Sequence, residues 1–154
     1  MVFPERFLRV INGAAAVVVA SRDAQLRPRA ARGSLLRRGE GPDALVVYLL
    51  HKMAGHVLPN LRDNGAIAVM VSLTINHEAF QVKGRVLDIR DAPATDEPAL
   101  RDRLDMFRDD SARLGLPRRL IDQVSHWPAV MITFTATELY HQSPGPGAGE
   151  RVRA

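Results

Sequence analysis

Six short apolar segments separated by turn residues, with no repeating strand–helix–strand rhythm, constrain this chain more than any motif it carries. Residues 14–21 are small and β-branched. Arg22-Asp23-Ala24-Gln25-Leu26-Arg27-Pro28 then carries turn chemistry before a second extended segment over 29–37, which reads as a hairpin. Gly39-Glu40-Gly41-Pro42-Asp43 is another turn, so a third strand is expected over 44–50. In the fourth, Ile67, Val69, Val71 and Leu73 alternate with Ala68, Met70 and Ser72, the period of a half-buried strand. The fifth runs over 80–89, with Phe80, Val82 and Val86 on one face and Gln81, Lys83 and Arg85 on the other. Its apolar set changes parity at Leu87 and Ile89, which predicts a bulge or a strand leaving its sheet. The sixth alternates Val130, Ile132, Phe134 and Ala136 with Met131, Thr133, Thr135 and Thr137.

Helices are fewer. Ala54, Val57, Leu58 and Leu61 share one helical face, and Pro59 is tolerated in a first turn, so a short helix is expected over 56–63, ending at Asn64-Gly65. A longer one over 97–114 is capped by Thr95 or Asp96, places Leu100, Leu104, Phe107 and Leu114 on one face, and stops at Gly115 and Pro117. A shorter helix over 117–125 follows. The expected fold class is mainly β with helical inserts (α+β), a six-stranded antiparallel barrel in one domain over 1–142. A Gly/Pro-rich tail over 143–154 is expected to hold no regular structure.

Composition excludes several kinds of chemistry. The chain has 154 residues and no cysteine, so disulfides, thiolate metal sites and cysteine nucleophiles are absent. The apolar run over 14–20 is too short to span a bilayer and has no cleavage pattern before it, so we expect a cytoplasmic protein with no membrane partner. The charge of +4 comes largely from arginine, yet only 5% of residues are aromatic. Base stacking has few platforms, and we expect no nucleic-acid partner. His51 and His56 lie close in sequence but not at a ligand spacing, so no metal site is expected. No Gly-x-Ser-x-Gly elbow exposes a serine nucleophile.

What remains is a set of cations and amides at the ends of apolar strands, where a barrel can present donors to an anionic, aromatic ligand. Four stretches carry a resemblance: Arg32-Gly33-Ser34-Leu35-Leu36-Arg37, Val46-Val47-Tyr48-Leu49-Leu50, Asn60-Leu61-Arg62-Asp63-Asn64-Gly65 and Gln81-Val82-Lys83-Gly84. In this order they resemble the pyridoxamine 5'-phosphate oxidase-like FMN-binding split β-barrels. The resemblance implies a homodimer with FMN in clefts between subunits. It assigns cofactor contacts to Arg32, Gly33, Ser34, Leu35, Arg37, Tyr48, Leu49, Leu50, Gln81 and Lys83. Bidentate arginine suits the phosphate, and strand backbone with a Gln amide suits the ring.

The chain departs from the family pattern at Gly55-His56-Val57, where the usual Ser/Thr-x-Lys phosphate signature is missing, and His51, Lys52 or His56 are the candidate substitutes. The family's pyridoxal-phosphate cluster near the C-terminus has no match, so pyridoxamine phosphate oxidation is not expected. The leading expectation is an FMN-dependent oxidoreductase acting on an unidentified small molecule, with no catalytic side chain named because the flavin carries the hydride step. The alternatives are a non-catalytic flavin-binding or sensing module, and a split barrel that uses a deazaflavin or haem.

Overall fold

The computed structural model describes residues 2–152. Its strands are β1 (Ala15–Arg22), β2 (Pro28–Arg38), β3 (Ala44–Leu50), β4 (Ala66–Leu73), β5 (Ala79–Asp91) and β6 (Ala129–His141). They close into a barrel in the order β1-β2-β3-β6-β5-β4, every neighbouring pair antiparallel. Closure leaves no unpaired sheet edge along most of the barrel, and alternate residues of each strand fill its interior. Val17, Val19, Leu45, Val47, Leu49, Val69, Val71, Phe80, Val82, Ile132 and Phe134 make up most of that inner core.

A second, smaller apolar layer lies outside the barrel wall, built from Leu35, Val46, Tyr48, Met131, Ala129 and Ala92 and covered by Leu100. It explains why β3 is buried at every position and reads as a continuous apolar run rather than an alternating one. The cover is helix α4 (Glu97–Arg113), which follows a single 3₁₀ turn at Ala94–Asp96. Its buried face is Leu100, Leu104 and Ser111, while Leu114 is 49% exposed and is not part of the seam its spacing predicts. The helix ends at Arg113, so Leu114 has already left the helical face. Helix α5 is only Arg118–Ile121, shorter than expected over 117–125.

Two further helical elements lie outside the sequence expectation. One is α2 (His51–Ala54), a single turn that precedes α3 (Leu58–Asn64); α3 itself stands close to the helix expected over 56–63, with Pro59 in its first turn. The predicted apolar face holds across both: Ala54, Val57, Leu58 and Leu61 are all buried. Gly65 closes α3 in the left-handed region at φ 67°, with its N–H on the Leu61 carbonyl. An additional helix, α1 (Glu5–Asn12), plugs one end of the barrel with Phe7, Val10 and Ile11. Phe7 meets Phe80 edge-on, with ring centroids 5.7 Å apart.

Three bulges set which way side chains point. Between β5 and β6 the register shifts at Val86/Asp88, so Leu87 is the extra residue and stands exposed, as its parity change predicts. A second shift at Lys83/Gly84 makes Thr137 extra on β6. Between β2 and β3 the shift at Gly33/Leu35 makes Ser34 the extra residue, which turns Leu35 outward and Leu36 into the core. Beyond β6, residues 143–149 form turns, after which Arg151 bridges Tyr140 and the Val152 amide donates to the Leu139 carbonyl at 2.8 Å. Residues 153 and 154 of the expected tail lie outside the described residues.

Candidate functional site

The Ser34 bulge sits between Arg32 and Arg37 and brings both cations to the outer face of β2, where they meet different surroundings. Arg37 is spent on the protein. Its Nε and Nη2 donate to the Tyr48 hydroxyl at 3.0 and 2.7 Å, its Nη1 donates to the Arg38 carbonyl, and Tyr48 in turn donates to Asp96 Oδ2 at 2.6 Å. Arg37 also lies 3.7 Å from Asp96. The Tyr48 side chain is wholly buried beneath these groups. Burial, reinforced by the Asp96 hydrogen bond and opposed by Arg37, pushes its phenol up to about 12.

That shift has a thermodynamic consequence. The neutral phenol is favoured by folding, so its contribution is complete below pH 10 and is lost as pH rises from 10 to about 12. Alkaline unfolding is expected to cost the wild type ~2 kcal/mol more across this window than a Tyr48→Phe variant. Chemical denaturation at pH 9, 10, 11 and 12 measures it, and parallel stability profiles for the two proteins would refute the assignment.

Arg32 stands differently. Among the described residues its guanidinium makes no hydrogen bond or ion pair, and lies over the Phe107 ring of α4 at 4.5 Å from the centroid. It lines a notch with Gly33, Ser34 and Leu50 on the barrel wall, Arg103 and Phe107 from α4, and Ser125 and His126 from the segment before β6. Among the described residues no carboxylate lines the notch; Glu97 stands behind it on His126. Partial desolvation holds the Arg32 pKa below the ordinary arginine value, with no neighbouring anion to counter it. The open volume is only about 20 Å³, room for one water.

The other expected contacts fall elsewhere. Leu49 points into the barrel interior, so only its backbone faces the wall, and Leu35 is buried in the outer layer. His51, Lys52 and His56 are exposed on α2 and the turn after it, directly beyond Leu50, with His51 Nε2 3.0 Å from Asp91. Gln81 and Lys83 lie on the outer face of β5, where the Lys83 ammonium stands 4.8 Å from the Tyr140 ring centroid. Arg32, Val18, Met70 and Gln81 form one cross-strand row over β2, β1, β4 and β5. Because β2 and β5 are three strands apart in either direction round the barrel, the Arg32 and Gln81/Lys83 patches face away from each other.

No family model matches the chain, and no curated protein sequence does. Solved structures match over nearly their whole length. An F420 reductase aligns at TM-score 0.56 with 17% identity, covering 89% of this chain and 98% of that one. HupZ of Group A Streptococcus gives 0.56 and 14%, covering 96% and 99%. A candidate pyridoxamine 5'-phosphate oxidase from Lactobacillus delbrueckii gives 0.55 and 12%, covering 90% and 93%. The chain has the pyridoxamine 5'-phosphate oxidase-like split-barrel fold.

In this split barrel the polar side chains that reasoning from sequence overlooked are His126 and Glu97, joined at 2.6 Å beside the notch. Their signal is weak: 29 residues separate them, and neither belongs to a spacing motif. Phe107 was visible, but as an ordinary member of a helical apolar face. Among the described residues no helix is long and apolar enough to cross a membrane.

Proposed function

We propose that this split barrel binds FMN at the Arg32 notch and works as a homodimeric flavin-dependent oxidoreductase on a small molecule. The observation that carries the reading is Arg32: among the described residues its exposed guanidinium makes no hydrogen bond or ion pair, and no carboxylate lines the notch beside it. A guanidinium stacked on a ring with its N–H groups open to solvent is available to an anion, and phosphate is one that a planar guanidinium holds bidentately. Ser34, displaced by the bulge, adds a hydroxyl beside it. The likeness of fold to an F420 reductase and to a candidate pyridoxamine 5'-phosphate oxidase supports a flavin-class ring.

The donor chemistry therefore fits the phosphate and ring edge of FMN. The space fits only in part, since ligand pockets take roughly 300–1,000 Å³. Bound FMN supplies hydride or electron transfer; the protein's own residues bind, orient and shield. Arg32 and Ser34 bind the anionic part, and the Leu50 end of β3 offers backbone and an apolar wall. Gln81 and Lys83 cannot reach the same ligand from the same chain, so their participation requires a second copy.

Titration with FMN, followed by flavin fluorescence, is expected to give saturable binding that Arg32→Ala weakens about tenfold or more, the loss of a charge-assisted contact. A protein that takes up no FMN would sink the reading. Reduction of the bound flavin by a nicotinamide donor, followed by turnover with a quinone or nitroaromatic acceptor, separates an enzyme from a binding module.

A further inference from the structure

The notch at Arg32 is filled by the chain itself. Helix α4 lays Leu104 and the Phe107 ring across it, and the segment after α5 adds Val124, Ser125 and His126. Two contacts hold this cover on the rest of the chain, and two more close it on itself. Phe107 takes the Arg32 guanidinium on its face. Arg103 donates to the Ile11 carbonyl at 2.9 Å and to that of Gly13. Arg108 Nη2 donates to the Val124 carbonyl at 3.1 Å. His126 Nε2 meets Glu97 Oε1 at 2.6 Å, joining the last residue of the cover to its first and closing it into a loop. Arg101 shares the same carboxylate from the next helical turn, 3.1 Å from Glu97 Oε2.

The packing of this cover is incomplete. Arg108 Nε and the Ser111 hydroxyl are buried on α4 without a hydrogen-bond partner among the described residues. Unsatisfied buried polar atoms raise the energy of the closed arrangement, and lifting the helix would return them to water. All six strand pairs of the barrel are made between strand residues, none of them with the cover. The chemistry of the Arg32–Phe107 contact is also that of a ligand contact. A guanidinium over an aromatic face is what a flat ring would offer in the same place, and Phe107 supplies the face without the phosphate.

We propose that residues 97–126 form a displaceable cover, closed on itself by the His126–Glu97 pair, in which Phe107 occupies Arg32 in the free protein and yields that place to the ring of the incoming flavin. The proposal rests on the flavin reading for its ligand and on the contacts above for the cover. It accounts for a notch with the right donors and room for only one water. In thermodynamic form, closed and open states are in equilibrium, and the closed state lowers apparent affinity by the fraction of molecules it holds.

Three proteins test it: the wild type, Phe107→Ala and Glu97→Gln, each titrated with FMN and examined by hydrogen exchange. Phe107→Ala is expected to bind FMN roughly tenfold more tightly than the wild type, because no internal ring competes for Arg32. Glu97→Gln is expected to speed exchange over 118–126 without ligand while β3 and β6 stay protected. Saturating the wild type with FMN should speed exchange in the same segment. Should Phe107→Ala not fold, Phe107→Leu carries the same expectation, since it keeps apolar volume and offers no π face. Unchanged or weaker FMN binding by the Phe107 variant, or unchanged exchange over 118–126 in Glu97→Gln, would overturn the cover. If none of the three proteins takes up FMN, the flavin reading fails and the cover is decided by exchange in Glu97→Gln alone: faster only over 118–126 upholds it, unchanged refutes it.

Discussion

Gly84→Ala is expected to destabilise the barrel by at least ~3 kcal/mol and to leave little folded protein at 37 °C. Gly84 lies on β5 beside the bulge at Lys83, facing inward where β6 passes closest. A Cβ built there would fall far inside contact distance of the Thr135 carbonyl oxygen and 2.8 Å from Phe134 Cδ2. Neither neighbour can give way cheaply. Thr135 belongs to a strand paired on both sides, to β3 through Ala44 and to β5 through Arg85, and Phe134 is wholly buried in the core. Urea unfolding followed by far-UV circular dichroism measures the effect. A variant that keeps the wild-type midpoint would mean that β5 and β6 do not approach each other as closely as described.

The second large effect is expected at Phe80. Its ring is fully buried, edge-on to Phe7 of α1 and 4.9 Å from the His141 ring at the end of β6. Phe80→Ala should cost about 3–5 kcal/mol, combining lost burial with a cavity that closed barrel walls cannot collapse around. For a chain of this size that lowers the melting temperature by roughly 10 °C or more. The loss has a location as well as a size. Amides of α1 should exchange faster in Phe80→Ala, because Phe80 is the barrel residue that receives Phe7. A variant equally destabilised but with α1 protected as before would place the helix's anchor elsewhere.

How far these features could be read from residues alone follows from what each depends on. All six strands fall within a few residues of the segments their alternation indicates, and the bulge at Leu87 is visible as a change of parity. Both are local signals, since a strand half in water must alternate. Helix α1 had such a signal in Phe7, Val10 and Ile11, but it is short, and its meaning depends on the barrel end that it closes. The Ser34 bulge has no signature of its own. Arg-Gly-Ser-Leu-Leu-Arg is compatible with an unbroken strand, and only the pairing of Leu35 with Tyr48 shows that one residue has been slipped.

The candidate site divides along the same line. Arginine at 32 and 37, glutamine at 81 and lysine at 83 announce strands with polar work to do, and the apolar periods around them dictate a small antiparallel barrel. Which cation is spent and which is spare was decided by tertiary structure: the bulge turns Arg37 to Tyr48 and Asp96, while Arg32 is left with Phe107. Closure alone places Gln81 and Lys83 on the far side from Arg32. Hydrophobic period is a property of neighbours along the chain, so it survives in the sequence. The pairing of charges and the facing of strands depend on groups tens of residues apart, and these meet only after the barrel has closed.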